Sequence, residues 1–474
     1  MCIRDRARSY GAAVYGIDVA ISFTACNVSN HRAALVVHVC TSFDCSTITI
    51  SDSIFSYNQV HYGAVLSGTD IVLNIQRSSL HNNKNMNYRY GGIIHASSES
   101  HTCKMSMAIY ESNFERNAAY DGGAAVYSTS TNVTIVDSNF LRHYVEQYYY
   151  TPNRAALYLT GSIITIMHCI FSNNIAFHGG SALYISTNRA TIQNSTFHNN
   201  VAISGLSGAI YIHVSDLNIT QCIFTDNLAI ESGGAMYINA NTNDTINIRN
   251  SHFSNNMAFE NGGAIYIHGN GYNFTCSIDN SNFGYNAAAR HGGVIYTTMA
   301  TVTVNESTFT CNTANLKGNL AYAMDSTNIT MANSIWNDDV GVAHKTIYAD
   351  VTSNVTTRDV GVSISSCDPC QISVYSTTAN PVVLTTEKLT PAIPNNYFIT
   401  TQITSGTTDP VVQAQTTMAL NVTHSDTSAI STTNIVVILV VIPCFLALLI
   451  ASICLLYTSP SPRDATLSRM PSSA

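Results

Sequence analysis

An internal repeat constrains the fold of this chain more than any other feature of its sequence. One copy, residues 251–267, reads SHFSNNMAFENGGAIYI: an aromatic residue, Asn three positions later, a Gly–Gly turn and a short apolar run. A period of this kind predicts a solenoid, in which each repeat packs only on its neighbours. The anchor of the repeat occurs eleven times at intervals of 25 to 34 residues, at Phe55, Leu80, Phe114, Phe140, Phe171, Phe197, Phe224, Phe253, Phe283, Phe309 and Trp336.

The repeated positions predict ladders of identical side chains. Stacked Phe rings attract one another beyond their buried area, stacked Asn amides form hydrogen-bonded ladders, and paired Gly residues permit a tight turn. We therefore interpret these residues as structural and not as a ligand site. Two turns depart from the pattern, with His143 and Asp339 in place of Asn. The clearest ladder positions are Phe171, Asn174, Phe197, Asn200, Phe224, Asn227, Phe253, Asn256, Gly262, Gly263, Phe283 and Asn286.

The length of the repeat indicates a parallel β-helix. Each unit holds short runs with period-2 alternation, such as residues 245–248 and 264–267, and Asn or Gly stands between them. This pattern is typical of strands joined by sharp turns. We expect an all-β solenoid of about eleven coils, which at a strand spacing of ~4.8 Å would be ~50 Å long. No long helical period occurs before Ile435.

The combination of repeated G-G-A-[ILV] and F-x-x-N tetrads resembles the repeats of chlamydial polymorphic outer membrane proteins, which are surface adhesins. More broadly, the chain resembles right-handed β-helix domains of the pectin-lyase-like superfamily over about residues 50 to 340. The resemblance implies a right-handed coil and, less directly, adhesion. The chain departs from the bacterial adhesins after the repeats, where one hydrophobic segment stands in place of a transporter barrel.

Composition divides the chain into seven segments. Residues 1–6 and 457–474 resemble translated sequencing-adapter sequence, so we set them aside; a genuine short cytoplasmic tail is the alternative for the second. Between them we predict a degenerate N-terminal coil or cap (7–50), β-helix repeats (51–340), a C-terminal cap (341–380), a Ser/Thr-rich stalk (381–434) and a transmembrane helix (435–456).

Thirteen cysteines raise the question of disulfides. Cys169 and Cys222 both lie two residues before an anchor Phe, but a whole coil separates them, so a bridge would exceed the ~7 Å limit between Cα atoms. We expect both to be buried thiols. Cys367 and Cys370 form a C-x-x-C, for which a local disulfide in the cap is favoured over a metal or redox site. Cys26, Cys40 and Cys45 are further candidates near the N-terminus.

Glycosylation signals favour an extracellular location. All ten Asn-x-Ser/Thr sequons precede the hydrophobic segment, although a chain rich in these residues also produces sequons by chance. With the stalk, they predict a single-pass type I protein of the plasma membrane. The candidate glycosylation sites are Asn132, Asn218, Asn243, Asn273, Asn328, Asn354 and Asn421.

No catalytic, metal or cofactor site is predicted. Glycoside hydrolysis needs two nearby carboxylates, and Asp52, Asp137 and Asp279 fall on coils that are not adjacent. Only 10% of residues are charged and the net charge is −8, which argues against nucleic acid as a partner. The Tyr-rich insertion 144–153 is either a binding loop or plain surface. We expect adhesion or surface recognition of a protein or glycan; the alternatives are a membrane-anchored polysaccharide lyase or hydrolase and a passive spacer.

Overall fold

The computed structural model describes residues 14–17, 20–30, 36–39, 46–60, 65–86, 91–97, 105–120, 122–129, 132–145, 155–177, 179–241, 243–270, 274–337, 347–358, 361–362, 372–377, 380–386, 400–403 and 416–419. The chain forms two units, residues 1–378 and 379–474. In the second unit, strands Thr400–Ile403 and Thr416–Ala419 pair in antiparallel fashion.

The first unit is a parallel β-solenoid with about ten turns, close to the eleven coils that the repeat predicted. A turn passes through three sheets in a fixed order: the long sheet, the Phe sheet and the short sheet. A turn crosses the long sheet twice, first with a strand in its upstream half and then with a strand in its downstream half. In some turns these two strands are continuous. All strand pairing between these turns is parallel, and neighbouring turns keep a constant register apart from one register shift, between Gly123 and Val126, where their strand pairs with the next turn.

The long sheet alternates inward apolar and outward polar residues, as a half-buried strand requires. Its strands are Val14–Ile17, Ile21–Thr24, Val36–Val39, Ser46–Ser51, Leu66–Thr69, Ile71–Gln76, Ile94–Ser97, Ser106–Tyr110, Gly123–Ser128, Asn132–Val136, Ala155–Met167, Leu183–Gln193, Ile210–Thr220, Met236–Ala240, Thr245–Arg249, Ile265–Gly269, Thr275–Asp279, Ile295–Thr298, Thr301–Asn305, Ala321–Met324, Asn328–Ala332, Ile347–Ala349 and Asn354–Arg358.

The Phe sheet carries the anchor of each repeat at the centre of a three-residue strand, with shorter pairing at its last strand. Its strands are Asn27–Ser29, Ile54–Ser56, Ser79–His81, Asn113–Glu115, Asn139–Leu141, Ile170–Ser172, Thr196–His198, Ile223–Thr225, His252–Ser254, Asn282–Gly284, Thr308–Thr310, Ile335–Asn337 and Gly361–Val362. The anchor column therefore extends beyond the eleven predicted anchors, to Val28 at one end and Val362 at the other.

The short sheet has one two-residue strand per turn and sets the count of complete turns. Its ten strands are Gln59–Val60, Lys84–Asn85, Ala118–Ala119, Tyr144–Val145, Ile175–Ala176, Val201–Ala202, Leu228–Ala229, Met257–Ala258, Ala287–Ala288 and Thr313–Ala314. The turn of Trp336 contributes no short-sheet strand among the described residues.

Left-handed residues make the two corners on either side of the Phe sheet. One corner residue stands three positions before each anchor, and the other stands two positions after each anchor from Phe55 to Phe309, for example Asn250 (φ 51°) and Asn255 (φ 54°) around Phe253. Asn adopts this conformation more readily than most residues, which explains its frequency there. The third corner uses Gly: Gly262 has φ 68°, and a Cβ on Gly263 would collide with the Gly293 carbonyl of the next turn.

No helix in the described part of the chain is long and apolar enough to cross a membrane. The predicted transmembrane helix, 435–456, lies outside the described residues.

Candidate functional site

The predicted ladder residues fill the interior of the solenoid. The rings of consecutive anchors from Phe114 to Phe309 stack with centroids 4.6–5.1 Å apart. Each of these Phe side chains is fully buried. Their burial leaves no ring face free for a ligand, which agrees with a structural role.

The Asn three positions after each anchor forms a second internal ladder, which we call the Asn ladder. Asn227 typifies it: its Oδ1 accepts from the backbone N and the Nδ2 of Asn200, at 3.1 and 3.0 Å. Its Nδ2 donates to the Phe197 carbonyl and to Asn256 Oδ1, both at 2.9 Å. The amide of Asn227 thus closes four hydrogen bonds and links three successive turns, as do those of Asn200, Asn256 and Asn286.

His143 interrupts the Asn ladder. Its Nδ1 accepts from the backbone N of Asn117 at 3.2 Å, and its own backbone N donates to Asn174 Oδ1 at 3.0 Å. The buried Nε2 has no hydrogen-bond partner among the described residues. Burial lowers the pKa of His143 to about 3, so the ring is neutral at physiological pH.

A tyrosine ladder lies on the outer face of the upstream half of the long sheet. Nine rings stack at 4.7–5.3 Å, from Tyr127 to Tyr348. The column consists of Tyr127, Tyr158, Tyr184, Tyr211, Tyr237, Tyr266, Tyr296, Tyr322 and Tyr348. Because the rings stack face to face along the column, its interior tyrosines offer no flat ring face as a platform for a sugar.

The left-handed corner before the Phe sheet carries a cluster of charged side chains that we call the charged corner. It comprises Asp52, Arg77, Glu111, Asp137 and His168, each three residues before an anchor and each on the next turn. Arg77 binds Asp52 through two contacts, Nε–Oδ1 at 2.7 Å and Nη2–Oδ2 at 2.9 Å. His168 Nδ1 lies 3.5 Å from Asp137 Oδ1.

Glu111 gives the solenoid a pair of carboxylates on adjacent turns, which the sequence analysis did not predict. The sequence analysis considered Asp52 and Asp137 but not Glu111, which has the same position in its repeat, three residues before Phe114. Glu111 and Asp137 therefore stand on adjacent turns, joined by the hydrogen bond from Glu111 N to the Val136 carbonyl. Glu111 forms no ion pair with any other described residue, although the nearby positive charge of Arg77 attracts it.

A groove of about 500 Å³ runs beside the charged corner over four turns. The charged walls are Asp52, Arg77, Glu111 and Asp137, and the groove is completed by Ser and Asn residues and one Ile at or just before the Phe-sheet strands. The hydrogen bond from Arg77 lowers the pKa of Asp52, so this carboxyl is ionised at neutral pH. Hydroxyl, amide, carboxylate and guanidinium groups in one groove can bind the hydroxyls of a glycan or the backbone of an extended peptide. The remaining lining residues are Ser53, Ile54, Ser78, Ser79, Ser112, Asn113 and Asn139.

The cysteines of the solenoid interior are thiols. Cys169 and Cys222 are buried and free, as predicted, and Ser195 lies between them in a column otherwise made mainly of serines. Cys276 is also buried and free. Cys26, one of the predicted disulfide candidates near the N-terminus, is also free, so that prediction is wrong. Cys311 is disulfide-bonded within the repeats, where no disulfide was predicted. Its partner, like the pair Cys367 and Cys370, lies outside the described residues.

Other predicted sites are only partly described. The insertion 144–153 begins at the strand Tyr144–Val145, and residues 146–154 lie outside the described part of the chain. The side chains of Asn132, Asn243, Asn328 and Asn354 are exposed and that of Asn218 is half-buried, whereas Asn273 and Asn421 are not described. Among the residues that are, no group of three His, Cys, Asp or Glu side chains could hold a metal ion.

Comparison with known proteins agrees with this fold. Residues 103–283 match the family model described as "Right handed beta helix region". The matched range runs from just before the turn of Phe114 to the anchor Phe283. No curated protein shows significant similarity to the chain.

Proposed function

Taking the chain as a right-handed parallel β-helix, we propose that it is a membrane-anchored extracellular protein that recognises a protein or glycan on a surface. The groove beside the charged corner carries this proposal. It is open, polar and repeated at the strand spacing of ~4.8 Å, so it suits an extended chain that binds along several turns. The type I topology rests on the sequons, the stalk and the apolar segment 435–456.

Arg77 is the residue whose replacement tests recognition most directly. It lines the groove and is about half exposed, and it pairs with Asp52 across one turn. Arg189 is the matched control, because it forms a similar exposed pair with Asp216 at 2.9 Å on the long sheet, away from the groove. We expect Arg77→Ala to weaken binding in a glycan array and a cell-binding assay, and Arg189→Ala to leave it unchanged. Equal binding by both variants and the parent would refute the groove as the recognition site.

Glu111 and Asp137 support a second candidate, a carbohydrate-active enzyme. Two carboxyl groups on opposite sides of a scissile bond catalyse glycoside hydrolysis at separations of about 5–9.5 Å. Carboxylates on adjacent turns, with backbones one strand spacing apart, fall within reach of that range. Release of reducing sugar from uronate polymers, abolished by Glu111→Gln and by Asp137→Asn, would establish this function over recognition alone.

A further inference from the structure

Three exposed sequon asparagines that donate no side-chain hydrogen bond to a described residue lie on one strip of the solenoid surface, which we call the sequon strip. It consists of the first outward column of the downstream half of the long sheet and the loop residue two positions before it. Asn132 and Asn328 occupy this column, and Asn354 follows Asn328 in it one turn later. The intervening turns contribute Ile163, Arg189, Asp216, Thr245, Thr275 and Thr301. Asn243 precedes Thr245 by two residues and stands in the loop at φ 67°.

The geometry of a strand makes the two column positions suitable for a glycan. Residues two apart on a strand point to the same side of the sheet, so the Asn and the Thr of each Asn-x-Thr both face outward. The side chains of Asn132, Asn243 and Asn328 are exposed. None of the three donates a side-chain hydrogen bond to another described residue, so a bulky group on Nδ2 would break no contact there.

Other sequon asparagines lack this freedom. Asn218 is half-buried; its Nδ2 donates to Asp216 Oδ1 at 3.2 Å and its Oδ1 accepts from Asn247 at 3.3 Å. Asn194 Nδ2 lies 3.2 Å from His168 Nε2, at the charged corner. Asn354 lies on the strip one turn after Asn328, but its Nδ2 donates to Asn328 Oδ1 at 3.2 Å.

We propose that N-linked glycans attach along the sequon strip, at Asn132, Asn243 and Asn328, and leave the groove uncovered. Asn132 and Asp137 are five residues apart on one extended segment, which is ~17 Å at 3.3–3.4 Å per residue. Glycans on the strip would thus shield the outer face of the long sheet while the charged corner stays accessible. This inference rests on the proposed extracellular location.

Site occupancy tests the inference. The full chain, directed into the secretory pathway of a eukaryotic cell by an added signal peptide, is digested, deglycosylated in ¹⁸O-water and mapped by mass spectrometry. We expect Asn132, Asn243 and Asn328 to be occupied in most molecules, and Asn194 and Asn218 in few. Asn328→Gln should remove one glycan from the intact mass. Thr301→Asn, which completes a sequon with Thr303 on the strip, should add one.

The outcomes separate this inference from the proposed function. Predominant occupancy of Asn194 or Asn218, an unmodified strip, or failure of Thr301→Asn to gain a glycan would overturn the inference. The added signal peptide makes these results independent of the native location. That location is tested separately by surface labelling of the chain in its own cells, and an intracellular result there would refute the proposed function whatever the occupancy pattern.

Discussion

Replacing His143 with Asn should stabilise the protein, because it restores a missing rung of the Asn ladder. The imidazole accepts one hydrogen bond, from Asn117 N, and leaves its buried Nε2 unpartnered. An Asn there would accept from Asn117 Nδ2 as well and donate to the Phe114 carbonyl and to Asn174 Oδ1, as Asn227 does on its own turn. Three further hydrogen bonds at about 0.5–1.5 kcal/mol each, less the lost packing of the ring, predict a gain of about 1–3 kcal/mol in the free energy of unfolding at neutral pH.

The gain should grow in mild acid. The pKa of His143 is about 3 in the fold and 6.5 in the unfolded chain. Between these values the unfolded chain binds a proton that the folded chain excludes, so the parent protein loses stability as the pH falls below 6.5. At pH 5 this single group costs about 2 kcal/mol. His143→Asn removes that loss, whereas all other titrating groups are common to both proteins and cancel in the difference.

The measurement is urea unfolding followed by circular dichroism at pH 7.5 and pH 5.0. Hydrogen exchange of the segment 132–145 reports locally, because a solenoid can unfold in part. His198→Asn is the control: this imidazole is about half exposed, pairs with Asp226 and lies outside the ladder. The reasoning is refuted if the stability difference between His143→Asn and the parent is the same at both pH values, or if His198→Asn shows the same gain.

Three further predictions concern buried side chains of the solenoid interior. Asn227→Ala should lower the free energy of unfolding by about 2–4 kcal/mol, since it leaves buried donors of Asn200 without an acceptor; the outward Thr225→Ala should change it little, and similar urea midpoints for the two variants would count against the ladder. Cys222→Ser should be tolerated, because this position belongs to the serine column, whereas Cys276→Ser places a hydroxyl among apolar side chains and should cost about 1–3 kcal/mol. Burial raises the pKa of Cys222 to about 11 and of Cys276 to about 12, so neither thiol should react with a thiol reagent near pH 8 before unfolding; rapid labelling of the native protein would contradict their burial.

The fold was predictable because the same pattern of residues recurs in nearly every turn. An isolated F-x-x-N or Gly–Gly pair is weak, but the anchors from Phe55 to Trp336 share one register, and stacking in register leaves little freedom in how consecutive turns pair. The number of complete turns was less predictable, since it depends on whether a degenerate turn such as that of Trp336 still pairs a strand in every sheet.

The candidate site was harder to predict because it lies where the repeat tolerates variation. The signal for Glu111 was present: it stands three residues before its anchor, between Arg77 and Asp137 of neighbouring turns. A search by register for both acidic residue types would have found it. The disulfide of Cys311 had no comparable signal, because the partner of a disulfide is set by distance in the fold and not by the period.

The charged corner has a consequence for how such a protein can change. Its residues have Cα positions dictated by the coil, yet their side chains point to solvent, and Asp, Arg, Glu, His, Asn and Gln all occupy the column. The backbone therefore holds one exposed and variable side chain per turn at a fixed spacing. Single substitutions there leave the interior ladders untouched, so the surface chemistry of the corner and the stability of the solenoid can evolve almost independently.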